Sequence, residues 1–145
     1  MKSSRKRQSP GHKTFRCAVY TRVSTNVPDA EKGKSLVRQR EAAEALVASR
    51  KRQGWVCLPE VYEERGPSAA TPRPPALQSL LADVEAGKVD CVVVHTIDCL
   101  SHSLSGHEKL LATFRRYGVT VVTVWPTLFL VWGDRLEDGW LADVP

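Results

Sequence analysis

Cys17-Ala18-Val19-Tyr20-Thr21-Arg22-Val23-Ser24-Thr25 is the stretch on which the reading of this chain turns. Its first half, Cys17 to Tyr20, is apolar and free of Gly and Pro, as in a strand covered on both faces. Arg22 and Ser24 follow at a spacing of two, so in extended chain their side chains leave on the same side. A guanidinium beside a hydroxyl, at the carboxyl end of a central strand, lies where an open α/β sheet takes its ligand. The pair permits a serine nucleophile attacking phosphorus while the arginine neutralises the developing charge. The same residues also suit a strand end with a solvated arginine and a turn serine.

On either side of this stretch, four strand signals alternate with three helix signals. Strand one spans about Phe15 to Val23. A loop, Thr25 to Lys34, holds Asn26, Pro28, Asp29 and Gly33. The first helix is expected from an N-cap at Ser35 to about Gln53, with Leu36, Ala43, Leu46 and Val47 as its apolar stripe and Gly54 as a left-handed cap. Strand two is Trp55 to Tyr62, with a break at Pro59. After a loop from Glu63 to Arg73, the second helix starts at Pro74 or Pro75. Its Leu77, Leu80, Leu81 and Val84 recur at helical spacing, and Gly87 ends it. Strand three, Val89 to His95, is almost wholly apolar. The third helix runs from about Leu104 to Tyr117 with Leu104, Leu110, Leu111 and Phe114 inward and Gly118 as cap, and strand four is Val119 to Val124. Helices between strands imply right-handed crossovers and a mainly parallel sheet covered on both faces. The expected fold is α/β, a flavodoxin-like doubly wound sheet in the strand order 2-1-3-4.

At 145 residues the chain suits one domain with a sizeable core. Charged residues at 26% and hydrophobic ones at 42% are those of a soluble globular protein. No apolar run approaches the roughly 20 residues that span a bilayer, and Met1 to Arg16 lacks the apolar stretch of a secretory signal. The charge is placed unevenly. Lys2, Arg5, Lys6, Arg7, Lys13 and Arg16 carry the first sixteen residues with no acidic partner, so the sequence pI of about 9.2 belongs to this tail. Residues 1–14 are expected to be a disordered basic tail, 15–124 the folded unit and 125–145 a divergent C-terminal segment. The tail suits either non-specific contact with nucleic-acid phosphates or a solubilising role.

Cys17, Cys57, Cys91 and Cys99 form no C-x-x-C pair. The first three lie in expected strands as small buried hydrophobes, which suits a reducing cytoplasm. Cys91, His95, Cys99 and His102 have the residue types of a metal site. Four residues of strand, however, separate Cys91 from His95 by about 13 Å, too far for both to bind one ion with bonds of about 2.0–2.3 Å. No metal and no cofactor is expected. Gly33-Lys34-Ser35 before a helix is a weak echo of a phosphate-binding loop; Pro28 stands where that motif has its first glycine, and Asp29 and Glu31 would repel phosphates.

Taken in order, several stretches resemble the catalytic domain of the serine recombinases, the resolvase/invertase family. They are Ala18 to Thr25, Lys32 to Arg40, Val61-Tyr62-Glu63, Arg73 to Gln78, Ala86 to Asp90, Asp98 to His102 and Tyr117-Gly118-Val119. The resemblance covers about Phe15 to Val124, and it lies in the ordered set rather than in one motif. It implies site-specific DNA recombination or integration on double-stranded DNA, as in mobile elements. A serine hydroxyl attacks the phosphodiester, a 5′-phosphoserine link forms, the 3′-hydroxyl leaves, and after strand exchange it attacks back. The covalent link conserves bond energy, so neither ATP nor metal is needed, and guanidinium groups must stabilise the phosphorane.

By that resemblance Ser24 stands at the nucleophile and Arg22 at a phosphate-contacting arginine. Gln39 matches a polar support, Ser68 a site-flanking serine, Arg73 the arginine before the second helix and Asp98 the acid beyond strand three. Two positions depart from the family: Cys99 and His102 replace arginines used at the scissile phosphate, so activity is expected to be impaired. Losing one such donor costs on the order of 10²–10³ in rate. Relatives also continue into a long helix that makes the dimer interface, and residues 125–145 show no such pattern. The expectation is a truncated, partly degenerate recombinase with a weakened homodimer or tetramer; the alternative is a catalytically inactive DNA- or protein-binding remnant. Leu128 to Trp132 is compatible with an added edge strand, packing on the core or an exposed patch.

Overall fold

The computed structural model describes residues 14–23, 26–65, 75–101 and 104–131. In chain order they form β1 (Phe15–Arg22), α1 (Asp29–Ser49), β2 (Trp55–Cys57), β3 (Tyr62–Glu64), α2 (Pro75–Glu85), β4 (Cys91–Val94), α3 (Leu104–Arg116), β5 (Thr120–Thr123) and β6 (Leu128–Val131). The sheet runs β2-β1-β4-β5-β6, and β3 pairs with β1 as well. All pairings through β5 are parallel, and β6 closes that edge antiparallel to β5. The expected second strand is β2 and β3 together: β2 pairs with the start of β1 and β3 with its end. Between them Pro59 has no N–H to give to the ladder. With that equivalence the order 2-1-3-4 holds, and Leu128–Val131 extends it by one strand.

Side chains alternate between two apolar layers, as the pleat requires. Ala18, Tyr20, Val92, Val94 and Val121 pack on the side of α2 and α3 with Leu77, Leu80, Val84 and Phe114. Phe15, Cys17, Val19, Cys91, Val93 and Val122 pack on the side of α1 with Ala43, Val47 and Trp55. Both faces of β1 are therefore covered, which is why Cys17 to Tyr20 reads as an unbroken apolar run.

Three expectations are corrected. Helix α1 begins at Asp29, six residues before Ser35, with Pro28 at its N-cap and no side-chain cap bond. Asp29 and Glu31 in the first turn favour the positive end of the helix dipole. Lys32 and Lys34 pair with them at a spacing of three. Gly33-Lys34-Ser35 thus lies inside the helix, where its amides belong to the helix ladder rather than to a phosphate cradle. Leu104 is exposed at the first position of α3, whose inward stripe is Leu110, Leu111 and Phe114. Cys57 is exposed on the sheet edge, whereas Cys17 and Cys91 are buried register partners; all four cysteines are free.

At the amino end of the sheet, Arg16 and Asp90 clamp β1 to the approach to β4. Asp90 is 1% exposed and receives Arg16 N–H at 2.9 Å, Arg16 Nε–H at 2.9 Å and Arg16 Nη2–H at 3.0 Å. Arg16 Nη2 also donates to the Gly87 carbonyl at 2.8 Å. Gly87 sits at φ 77°, the left-handed conformation that ends α2. Among the described residues no helix is long and apolar enough to cross a membrane.

Candidate active site

The parallel strands β1, β4 and β5 all deliver their carboxyl ends to one edge of the sheet. Arg22 is the last residue of β1 at this edge and is 9% exposed. Gln39, on α1, fixes the backbone there. Its Oε1 accepts the Arg22 N–H at 3.1 Å, and its Nε2 donates to the Arg22 carbonyl at 2.9 Å. Nε2 also reaches Ser35 Oγ at 3.2 Å. Ser35, expected to cap the helix, instead steadies the glutamine one turn away. The guanidinium Nε of Arg22 is buried and has no hydrogen-bond partner among the described residues.

β3 supplies the acidic side of the site. Glu64 is the register partner of Arg22 and is 6% exposed. Its Oε1 accepts the N–H groups of Ala76 at 2.9 Å and Leu77 at 3.2 Å. These are first-turn amides of α2, with no helical acceptor of their own, and a carboxylate there also meets the positive end of the helix dipole. The Tyr20 hydroxyl donates to the same oxygen at 3.4 Å. Burial above all, then the negative charge of Glu64, raises the Tyr20 pKa above its ordinary value, while the positive charge of Arg22 pulls the other way. Glu64 was not legible as a site residue in the sequence. The signal it left was an acid at a strand end followed by a Pro-initiated helix.

Beyond β4 the chain makes a short 3₁₀ turn, Ile97–Cys99. Asp98 is exposed on it, whereas Cys99 is 8% exposed and packs with Tyr20 and Leu100. Cys99 Sγ lies 3.6 Å from Gln39 Oε1 and 3.9 Å from Thr96 Oγ1. Arg22, Gln39 and Cys99 are therefore brought together, with Asp98 on the adjoining turn. Ser24, Ser68, Arg73 and His102 lie outside the described residues. Among the described residues, no group of three or more His, Cys, Asp or Glu side chains is placed to hold a metal ion. The arrangement is a strand end with a buried cation, held by a side-chain amide and flanked by a buried carboxylate. Such a cation suits a phosphate oxygen approaching from the edge.

The family model described as Resolvase, N terminal domain, matches residues 17–127. A curated protein named Resolvase, from Escherichia coli, is 31% identical over 117 residues, which are 80% of this chain and 47% of that protein. The chain thus spans about half the length of that relative. The crystal structure of the N-terminal catalytic domain of TP901-1 integrase is similar at a TM-score of 0.60 and 27% identity, covering 79% of this chain and 80% of that one. A resolvase family site-specific recombinase from Streptococcus pneumoniae is similar at a TM-score of 0.67, covering 81% of this chain and 76% of that one. Its 22% identity makes it a likeness of fold.

Proposed function

The chain belongs to the resolvase family of serine recombinases, and from that premise we propose that it cuts and rejoins double-stranded DNA through a covalent serine intermediate. The observation that carries this reading is Arg22: a buried arginine at the carboxyl end of the central strand, locked by Gln39, two residues before Ser24. The Ser24 hydroxyl attacks the phosphorus and the P–O bond to the 3′ oxygen breaks. The 3′-hydroxyl leaves with a proton and a 5′-phosphoserine remains. Return attack by a 3′-hydroxyl restores the phosphodiester and frees Ser24. Arg22 and Arg73 contact the phosphate oxygens, Gln39 holds the strand end that carries Arg22, and Ser68 and Asp98 flank the phosphate. Strand exchange would take place in a dimer or tetramer on genomic DNA in the cytoplasm.

A second reading, a domain that binds DNA or protein without cutting, is favoured by Cys99. It is a nearly buried thiol where the family places an arginine, and a thiol donates only weakly. His102 stands at the other arginine position and lacks the fork of a guanidinium.

A trapping assay separates the two. The protein is mixed with DNA carrying a nicked candidate site, stopped with detergent and examined for a covalent adduct. Ser24→Ala and the double variant Cys99→Arg/His102→Arg run beside it. An adduct absent in Ser24→Ala supports strand cleavage by the chain as it stands. An adduct only in the double variant supports a decayed site on an intact scaffold. No adduct in any form, while a competent recombinase cuts the same DNA, supports the binding role.

A further inference from the structure

We propose that Glu64 is a positioning residue for Arg22, supplying the negative field that keeps a buried guanidinium poised for phosphate; this rests on the assignment of Arg22 to the phosphate. Three features converge on it. First, Arg22 and Glu64 are register partners on adjacent parallel strands, so they share a face of the sheet at one strand spacing, roughly 4.8 Å. Second, both are more than nine-tenths buried, where a cation without a compensating charge is costly. Third, the Tyr20 hydroxyl donates to Glu64 Oε1 at 3.4 Å, and the charges of Glu64 and Arg22 act on it in opposite directions.

One oxygen of the carboxylate is also occupied: Oε1 receives Ala76 N–H, Leu77 N–H and the Tyr20 hydroxyl. With Oε1 spent on these three donors, the carboxylate acts on a neighbouring cation through space, and the Arg22 Nε is buried without a hydrogen-bond partner among the described residues. The same carboxylate fastens the start of α2 to the end of β3. A substrate phosphate would then complete a charge set that the protein has already half assembled.

The test separates this role from simple helix capping. Glu64→Gln keeps an Oε1 acceptor for the two amides and the hydroxyl but removes the charge; Glu64→Asp keeps the charge. Amide and guanidinium hydrogen exchange, followed by NMR, reads both roles without DNA. In Glu64→Gln the Ala76 and Leu77 amides should exchange at the parental rate, while Arg22 Nε–H should exchange about tenfold faster, within the coupling expected of residues in one network. Glu64→Asp should restore the slow Arg22 exchange. If Arg22 Nε–H exchanges at the parental rate in Glu64→Gln, Glu64 is a cap alone and the inference falls. Binding to a duplex oligonucleotide tests the underlying assignment separately. Arg22→Ala should weaken it in the parent and weaken it less in the Glu64→Gln background. If Arg22→Ala leaves duplex binding unchanged while Arg22 Nε–H still responds to Glu64, the phosphate assignment fails and the positioning role stands.

Discussion

The side chain of Gln39 pairs with the backbone of Arg22 as a neighbouring strand would, accepting its N–H at 3.1 Å and donating to its carbonyl at 2.9 Å. A helix thereby takes over the ladder on the β4 side of β1, where the β4 pairing ends at Tyr20, while β3 continues on the other side.

Gln39→Ala would leave both Arg22 backbone groups without these partners. Each lost bond at a partly buried site costs about 1–3 kcal/mol. Urea unfolding should therefore show a fall in midpoint at unchanged slope, and duplex DNA binding should weaken with it. Gln39→Glu keeps an acceptor for the N–H but loses the donor to the carbonyl, and should lie between the parent and Gln39→Ala. An unchanged midpoint in Gln39→Ala would show that water replaces the amide.

Asp90→Asn tests the clamp at the opposite end of the sheet. The carboxylate there collects three donors from Arg16, two of them in a bidentate pair. Hydrogen bonds to charged groups contribute about 1.5–3 kcal/mol, and the amide keeps the shape while reversing one acceptor into a donor. The expected outcome is a loss of about 2–3 kcal/mol by denaturant titration. Because the clamp lies far from Arg22, the covalent-trapping signal per folded molecule should be unaffected.

Tyr20 and Tyr62 set an alkaline limit on stability. Burial leads in raising both hydroxyl pKa values above the ordinary range; next come Glu64 for Tyr20 and a hydrogen bond to Asp83 for Tyr62. The unfolded chain releases these protons at about pH 10. Above that pH it binds fewer protons than the native chain, so stability falls with rising pH. Their contribution is fully present below about pH 10 and is lost as pH climbs toward the raised native values. Denaturation midpoints should begin to decline at about pH 8.5, where the unfolded chain loses the thiol proton that burial holds on Cys17, and fall more steeply above about 10 as the tyrosines join. Tyr20→Phe should reduce that slope, and an unchanged slope would assign it to other groups.

Cys99→Arg on its own should lower stability even if it helps chemistry. The thiol packs against Tyr20 and Leu100 and touches Gln39 Oε1. A guanidinium must turn outward past them, and overpacking of this kind costs about 1–3 kcal/mol. Thermal melting should show a drop of several degrees. An unchanged melting temperature would mean that the turn at Ile97–Cys99 moves aside freely.

Much of this was legible in the sequence where residue pattern and burial agree. The apolar runs at Cys17–Tyr20 and Cys91–Val94, the helical spacing of Leu77, Leu80 and Val84, and the interruption at Pro59 all report directly on the core. Helix α1 was misread at its start because Pro28 and Gly33 are loop residues by composition. The first turn there is held by helix-dipole and ion-pair terms rather than by an apolar stripe, and these leave no periodic signal. Arg22, Gln39 and Cys99 were singled out one by one, the last two from the resemblance, but their convergence depends on a helix, a strand and a turn distant in sequence. Glu64 escaped because the one signal it left, an acid at a strand end before a Pro-initiated helix, fits Glu63 equally; only the register with β1 and the approach of α2 make it a buried acceptor.

The division of one edge into β2 and β3 also bears on how the protein behaves in a crowded solution. A long open edge is a row of free donors and acceptors that invites another chain to add a strand. Here the outer row is cut into two pieces of three residues each, separated by a proline. Neither piece offers an intruding strand enough consecutive bonds to offset the entropy of ordering it. The interruption that lets the strand's second half place Glu64 beside Arg22 thus also makes this flank of the sheet a poor template for aggregation.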